Sequence, residues 1–175
     1  MKIEVRISGL GGQGVVLAGQ ILGKAAVYDG KNVVQTQSYG AEARGSSAKS
    51  EVIISDEKIG FPAVRQCDVL IAMSQGALDK HLKDLKEDGL LMVDSTYVKD
   101  TREKKTRIFK IPATENAEKM FGTKIYANML ILGALTKVAN IVSEDSMKKA
   151  IEDTVTEKVV AADKKAYEKG KELVQ

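Results

Sequence analysis

One cysteine and one histidine are all that this chain of 175 residues offers to thiol and imidazole chemistry. The lone thiol, Cys67, excludes an internal disulfide and a self-contained iron–sulfur cluster, which takes about four thiolates. It heads the apolar run Val69-Leu70-Ile71-Ala72-Met73, with no histidine nearby to activate it, so a buried structural thiol is expected. The lone histidine, His81, falls on a lysine-rich helical stretch, residues 78–86, and is expected to face solvent. A metal site or a Ser-His-Asp triad lacks the partners it needs, so no catalytic and no metal-ligating residue is assigned. Charge of one sign is also missing: 27 basic and 24 acidic side chains leave +3, interspersed along the chain. That gives no nucleic-acid footprint. The most basic run, residues 99–110, lies among turn-like residues with acids mixed in and reads as a solvated loop. No apolar stretch reaches the roughly 20 residues of a membrane span, and no internal repeat appears. Met1-Lys2-Ile3-Glu4 opens the first strand directly without a signal peptide, so a cytoplasmic protein with neither nucleic-acid nor membrane partner is expected.

What is present is an ordinary globular composition, 43% hydrophobic and 29% charged, at a length that suits one domain over residues 1–175. Its organising stretch is Gly9-Leu10-Gly11-Gly12-Gln13-Gly14. Residues 3–7 before it alternate β-branched and charged side chains as a strand does, and residues 15–28 after it place apolar residues at helical spacing. Glycines 9, 11 and 14 match G-x-G-x-x-G: one for a tight turn, one for close approach of backbone to a ligand, one for packing the helix on its strand. A helix that begins there presents free N–H groups and the positive end of its dipole, which favour an anionic, phosphate-bearing ligand. The nicotinamide use of such a loop needs an acid about 20 residues onward to hold the ribose. The second strand, residues 32–37, carries none, and Asp29 comes too early. This argument places residues 35–37 beside the glycine turn.

Further along, residues 38–47 form a glycine- and serine-rich loop, and residues 49–55 a third strand. The connection is shorter than the dozen or more residues of a parallel crossover, so the third strand is expected to run antiparallel, at an edge. A fourth strand over residues 68–74 is continuously apolar, as covering on both faces requires. Ser74 and Gln75 cap a helix ending near Lys86, and residues 89–94 and 106–111 supply two more strands. Residues 125–139 are apolar on almost every side and read as a helix buried all round, either by the domain core or by the core and a partner subunit together; Gly133 and Ala134 admit close approach of another helix. Residues 155–173 form an amphipathic helix with Val155, Val159, Ala162, Ala166 and Leu173 on one stripe. The fold class is α/β: a doubly wound Rossmann-like domain with a mostly parallel sheet, an antiparallel edge strand and C-terminal helices.

Two motifs at matched spacing carry a resemblance. Residues 9–15, with Gln37-Ser38-Tyr39-Gly40-Ala41-Glu42-Ala43-Arg44-Gly45, resemble the gamma subunit of the 2-oxoacid:ferredoxin oxidoreductases, most similar to the 2-oxoglutarate branch through the wording of residues 36–45. The later strand at residues 68–74 and the overall length also fit. The sequence departs from the family at Ser46, where a second glycine is usual. The resemblance implies a part of an enzyme, inactive alone, whose complex decarboxylates a 2-oxoacid, passes electrons to ferredoxin and releases an acyl-CoA. Thiamine diphosphate, magnesium and iron–sulfur clusters are then expected on partner alpha, beta and delta subunits. This chain would help admit coenzyme A and hold the complex together, through Gly9, Gly11, Gly12, Gln13, Gly14, Ser38, Tyr39, Glu42 and Arg44. Three of these have two roles open. Gln13 either contacts the ligand or caps the turn. Arg44 forks onto a phosphate or partner carboxylate, or else pairs with Glu42 or stands in solvent. Tyr39 meets adenine or a neighbouring subunit, or lids its own core. The competing readings are a stand-alone nicotinamide-dependent oxidoreductase and a non-enzymatic assembly subunit.

Overall fold

The structure is a computed structural model, and it describes residues 1–40, 46–102 and 106–174. In chain order the elements are β1 (Lys2–Leu10), α1 (Val15–Tyr28), β2 (Asn32–Tyr39), β3 (Ser47–Ser55), β4 (Cys67–Ala72), α2 (Gln75–His81), β5 (Leu85–Asp94), β6 (Arg107–Ile111), α3 (Ala113–Phe121), α4 (Ala127–Ala139), α5 (Glu144–Thr154) and α6 (Glu157–Glu172). They build one six-stranded sheet in the order β2-β3-β1-β4-β5-β6. β1, β4, β5 and β6 run parallel to one another. β3 runs against both β1 and β2, so only β3 points the other way.

The antiparallel β3 is as expected, but β2 is the outermost strand and β3 lies inside it. This overturns the placement of residues 35–37 beside the glycine turn. With too few residues for a crossover helix, the chain doubles back on β2 as a hairpin. The returning β3 then takes the place next to β1, in register from Lys2 with Ser55 to Leu10 with Ser47. Gln35 and Gln37 pair with Val52 and Ser50, and Gln35 Nε2 donates to Ser50 Oγ at 3.1 Å beneath α1. The acid that a nicotinamide ribose needs must therefore be sought on β3 and β4. Beside the loop those strands and their ends bring Ser47, Ala48, Met73 and Ser74, none of them acidic.

Alternation along the strands gives the sheet two buried faces. Val5, Ile7, Val52, Ile54, Ile71 and Met92 join α1, α3, α4 and α6 in the larger core, while Ile53, Leu70, Leu91 and Val93 pack with α2 on the other side. α1 approaches the larger face at Gly19, where a Cβ would stand 1.8 Å from Ser50 Oγ. The close helix–sheet contact expected of one of the loop glycines is thus made in the middle of the helix. α4 is buried at every residue from 127 to 136, and a helix of the same chain covers it. A Cβ on Gly133 would lie 2.0 Å from the Tyr167 carbonyl oxygen, and one on Gly170 would lie 1.9 Å from that of Leu130. α6 turns Asp163, Ala166, Tyr167 and Gly170 inward, a stripe at i, i+3, i+4 and i+7. Of the expected stripe, Ala166 is fully buried; Val155 lies in the turn before α6, and Val159, Ala162 and Leu173 are half-buried. α5 rests on α1, where the Asp29 carboxylate accepts from Ser143 N, Ser143 Oγ and Ser146 Oγ.

α2 stops five residues before Lys86, because the chain tightens into a 3-10 turn at Leu82–Asp84 and Lys86 already belongs to β5. His81 is accordingly buried, at 6% exposure, and not in solvent. It turns inward to Arg6 of β1, whose Nη1 stands 3.4 Å from His81 Nδ1 and donates to Asp84 Oδ2 at 2.8 Å. The same guanidinium donates to Glu51 Oε2 at 2.8 Å and to the Val64 carbonyl at 2.9 Å. Burial and the Arg6 charge push the histidine down to about 4, which leaves a neutral packing residue. Cys67 is buried as expected, and desolvation pushes its thiol up to about 11.

Candidate functional site

The site lies at the carboxyl ends of β1, β4 and β5, where an open α/β sheet places its ligands. β1 ends at Leu10, and the loop that follows is held by its own glutamine. Gln13 Oε1 accepts from Leu10 N at 2.7 Å, while its Nε2 donates to the Met73 carbonyl at 2.9 Å. Of the two roles open to Gln13, the structure makes it the staple that fixes the turn to the end of β4. Gly9 makes room for that staple, since a Cβ there would lie 2.4 Å from Gln13 Oε1. The left-handed positions are Gly12, at φ 91°, and Gly14, at φ 73°. Gly14 also lies against α4, whose Asn128 Nδ2 donates to the Gly14 carbonyl at 3.2 Å. Gly11 N donates to the Ser46 carbonyl at 2.8 Å, so the position that departs from the family braces the loop through its backbone, which any residue type supplies.

α1 begins at Val15 with Gly14 as its cap, with no side-chain cap and no acid in its first turn. The positive end of its dipole is therefore neutralised by nothing of its own. That end, at Val15 to Leu17, opens on the smaller of two clefts that flank the loop. The larger, of about 480 Å³, is lined by Leu10, Gly11, Gly12 and Gln13 on one side. Ser74, Gln75, Tyr97, Thr114, Lys124 and Ala127 line the other. Most of these walls are fixed. Ser74 Oγ accepts from Ala77 N at 3.1 Å. Gln75 Oε1 accepts from Lys99 N and Asp100 N at 2.9 and 3.1 Å, which ties the rim segment to α2. Thr114 donates through Oγ1 to Asp94 Oδ2 at 2.5 Å. Lys124 is the cation of the cleft. Its Nζ is 5.9 Å from the Tyr97 ring centroid and 3.7 Å from Glu118, and Tyr97 foremost holds the ammonium above its ordinary value. A charged amine thus faces the glycine loop across this cleft, and the uncapped helix end opens on the loop's other flank; both suit phosphate.

A second, smaller cleft of about 280 Å³ opens on the other flank of the loop, between Gly12, Gly14, Val16 and Tyr39. Tyr39 is 65% exposed and so is no lid on the core; its ring is free for a ligand or another chain. Ser38 is not brought to the main cleft. It lines a small hollow with Tyr39, Lys49, Lys80 and His81. Glu42 and Arg44 lie outside the described residues. In the basic run, the described Arg102 is occupied by Asp79, through Nε and Nη2 at 3.0 Å each, and by Asp100 at 2.9 Å. Sequence reasoning missed Tyr97, Thr114 and Lys124, which reach the cleft only through β5, α3 and α4. The one signal for Lys124 is a lysine just ahead of an all-apolar helix.

Residues 4–173 match the family model described as pyruvate ferredoxin/flavodoxin oxidoreductase. The chain is similar to the 2-oxoglutarate synthase subunit KorC of Methanocaldococcus jannaschii, with 51% identity covering 99% of this chain and 96% of that one. Among solved structures it is similar to the gamma subunit of a keto/oxoacid ferredoxin oxidoreductase from Geobacter sulfurreducens, at TM-score 0.86 and 43% identity over 97% of this chain and 96% of the other. It is also similar to part of the 2-oxoglutarate:ferredoxin oxidoreductase of Magnetococcus marinus, solved with 2-oxoglutarate, coenzyme A and succinyl-CoA bound, at TM-score 0.88 and 26% identity. That match covers 98% of this chain and 31% of the larger one.

Proposed function

The chain belongs to the pyruvate ferredoxin/flavodoxin oxidoreductase family, as a gamma subunit of a 2-oxoacid:ferredoxin oxidoreductase most like 2-oxoglutarate synthase, and on that premise we propose that its glycine-loop cleft receives coenzyme A for the complex. The reading is carried by Lys124 facing the bare glycine loop across the cleft, with the uncapped start of α1 on the loop's other flank. Coenzyme A fits this setting: its phosphates match the helix end and the ammonium, and its pantetheine arm can lie on the bare backbone of Gly11 and Gly12. The Magnetococcus relative, solved with coenzyme A and succinyl-CoA, supports the same ligand class.

The chain's own contribution is binding and orientation. Gln13 and Ser46 hold the loop in one shape before the ligand arrives, which spares the ordering cost at binding. Decarboxylation of the 2-oxoacid, 2-oxoglutarate by likeness to the Methanocaldococcus subunit, belongs with thiamine diphosphate and magnesium on the alpha and beta subunits. The electrons leave through iron–sulfur clusters on beta and delta to ferredoxin. We read residues 1–175 as one gamma-type domain working in the cytoplasm; no described helix is long and apolar enough to cross a membrane.

The test is Lys124→Ala in the assembled complex. Lys124 is exposed, so the fold is unaffected. The Michaelis constant for coenzyme A is expected to rise about tenfold, the scale of one charge-assisted contact, with kcat and the constant for 2-oxoglutarate unchanged. An unchanged constant for coenzyme A, both here and in Gly12→Val, would remove the ligand role and leave an assembly subunit.

A further inference from the structure

Behind the glycine loop, the beginnings of α1, α4 and α6 frame a separate open pocket of about 340 Å³. Its walls are largely apolar, from Leu17, Tyr126, Val155 and Val159, and Ile125 stands at its rim 59% exposed. Into this setting α6 brings Asp163, 5% exposed. The carboxylate has no hydrogen-bond or ion-pair partner among the described residues. Thr154, at the end of α5, lines the same pocket, and its Oγ1 is buried with no partner either.

Thr154 Oγ1 is one of the described buried polar atoms left without a partner, and a carboxylate drawn into the same apolar hollow is costly to leave unpaired. The pocket is far larger than the ~30 Å³ that one water takes, so a single trapped solvent molecule does not account for it. Burial pushes Asp163 up to about 6, which leaves it ionised for the most part at neutral pH. The missing partner is therefore a cation. The apolar walls suit the methylene stem of a long basic side chain, with the charge delivered at the end. Thr154 Oγ1, in the wall of the same pocket, offers that charge a second acceptor.

We propose that this pocket is a socket for an arginine or lysine side chain of a neighbouring subunit in the oxidoreductase complex. Asp163 and Thr154 Oγ1 are the acceptors, and Leu17, Val155, Val159 and Ile125 grip the stem. The socket rests on the reading of this chain as a subunit, and it is separate from the cleft assigned to coenzyme A.

The experiment purifies the tagged full chain with its companion subunits and compares wild type with Asp163→Asn and Thr154→Val. Asparagine keeps the shape and removes the charge. Alone, the Asp163→Asn chain is expected to melt about 3–6 °C above wild type, because an unpaired buried charge is gone. In the complex its apparent dissociation constant is expected to rise at least tenfold and to lose the sodium chloride dependence that wild type shows. Thr154→Val shows a smaller loss, about threefold. A variant chain that is stabilised but binds its companions within twofold of wild type overturns the socket, since a neutral occupant or none would then suffice. A wild-type chain that brings down no companion subunit overturns the subunit reading itself, and the socket with it.

Discussion

Arg6 lies in the middle of β1 with 4% of its surface exposed, and it stays there because Glu51, Asp84 and the Val64 carbonyl all accept from it. Removing one partner strands a buried charge, which is the expensive way to break such a pair. Glu51→Ala is expected to cost about 3–5 kcal/mol, read as a lowered urea midpoint with little change in slope. The neighbouring histidine sets a pH dependence. An unfolded imidazole titrates at 6.5 and His81 at about 4. Between those values the unfolded chain binds the extra proton, and stability falls as pH drops, by roughly 3 kcal/mol in full. Asp163 has the opposite sign. Raised from 3.8 to about 6, it makes the folded chain hold the proton inside that window, so stability falls as pH rises, by about 3 kcal/mol at most. From pH 4 to 6 the two slopes oppose each other in wild type. Asp163→Asn leaves the histidine slope alone, so its urea midpoint should climb steadily from pH 4 to 6.5 while that of wild type stays flatter. Parallel curves would show that Asp163 titrates normally.

The helices α4 and α6 approach so closely that each uses a glycine where the other presents a backbone carbonyl. Neither carbonyl can move like a side-chain tip, so Gly133→Ala forces the helices apart. The expected loss is about 2 kcal/mol or more, measured by thermal melting, with the far-UV helix signal retained below the transition. α1 was legible to the residue, because a glycine turn precedes it and its apolar spacing runs unbroken to Tyr28. α2 was read too long, because Lys80 to Lys86 keeps a helical charge pattern, and nothing local shows that Leu85 and Lys86 bond to a strand. The burial of His81 has the same root: its inward turn is driven by Arg6, 75 residues away in sequence. The covering of α4 was visible as a need in residues 125–139, whereas the identity of the covering helix required α6 in place.

Across the whole molecule, the loop half of the cleft was readable and the facing half was not. Gly9 to Gly14 form a contiguous motif with its own geometry, while Ser74, Tyr97, Thr114 and Lys124 come together only after β4, β5, α3 and α4 have stacked. The strand order was unreadable for a related reason: a hairpin satisfies β2 and β3 locally, and only pairing with β1 decides which of them stands inside. That decision leaves Asn32–Tyr39 at the rim without one charged side chain, whereas the opposite rim strand, Arg107–Ile111, carries Arg107 and Lys110. Bare rims of that kind template pairing with further copies, and a lysine there blocks it. Gln37→Lys should therefore keep the solitary chain monomeric in sedimentation velocity at concentrations where wild type self-associates. For the cell, the uncharged rim turns a matter of shape into one of supply: this polypeptide made in excess of its companions has a built-in route to aggregate, so balanced synthesis of the whole set is a demand written into its outermost strand.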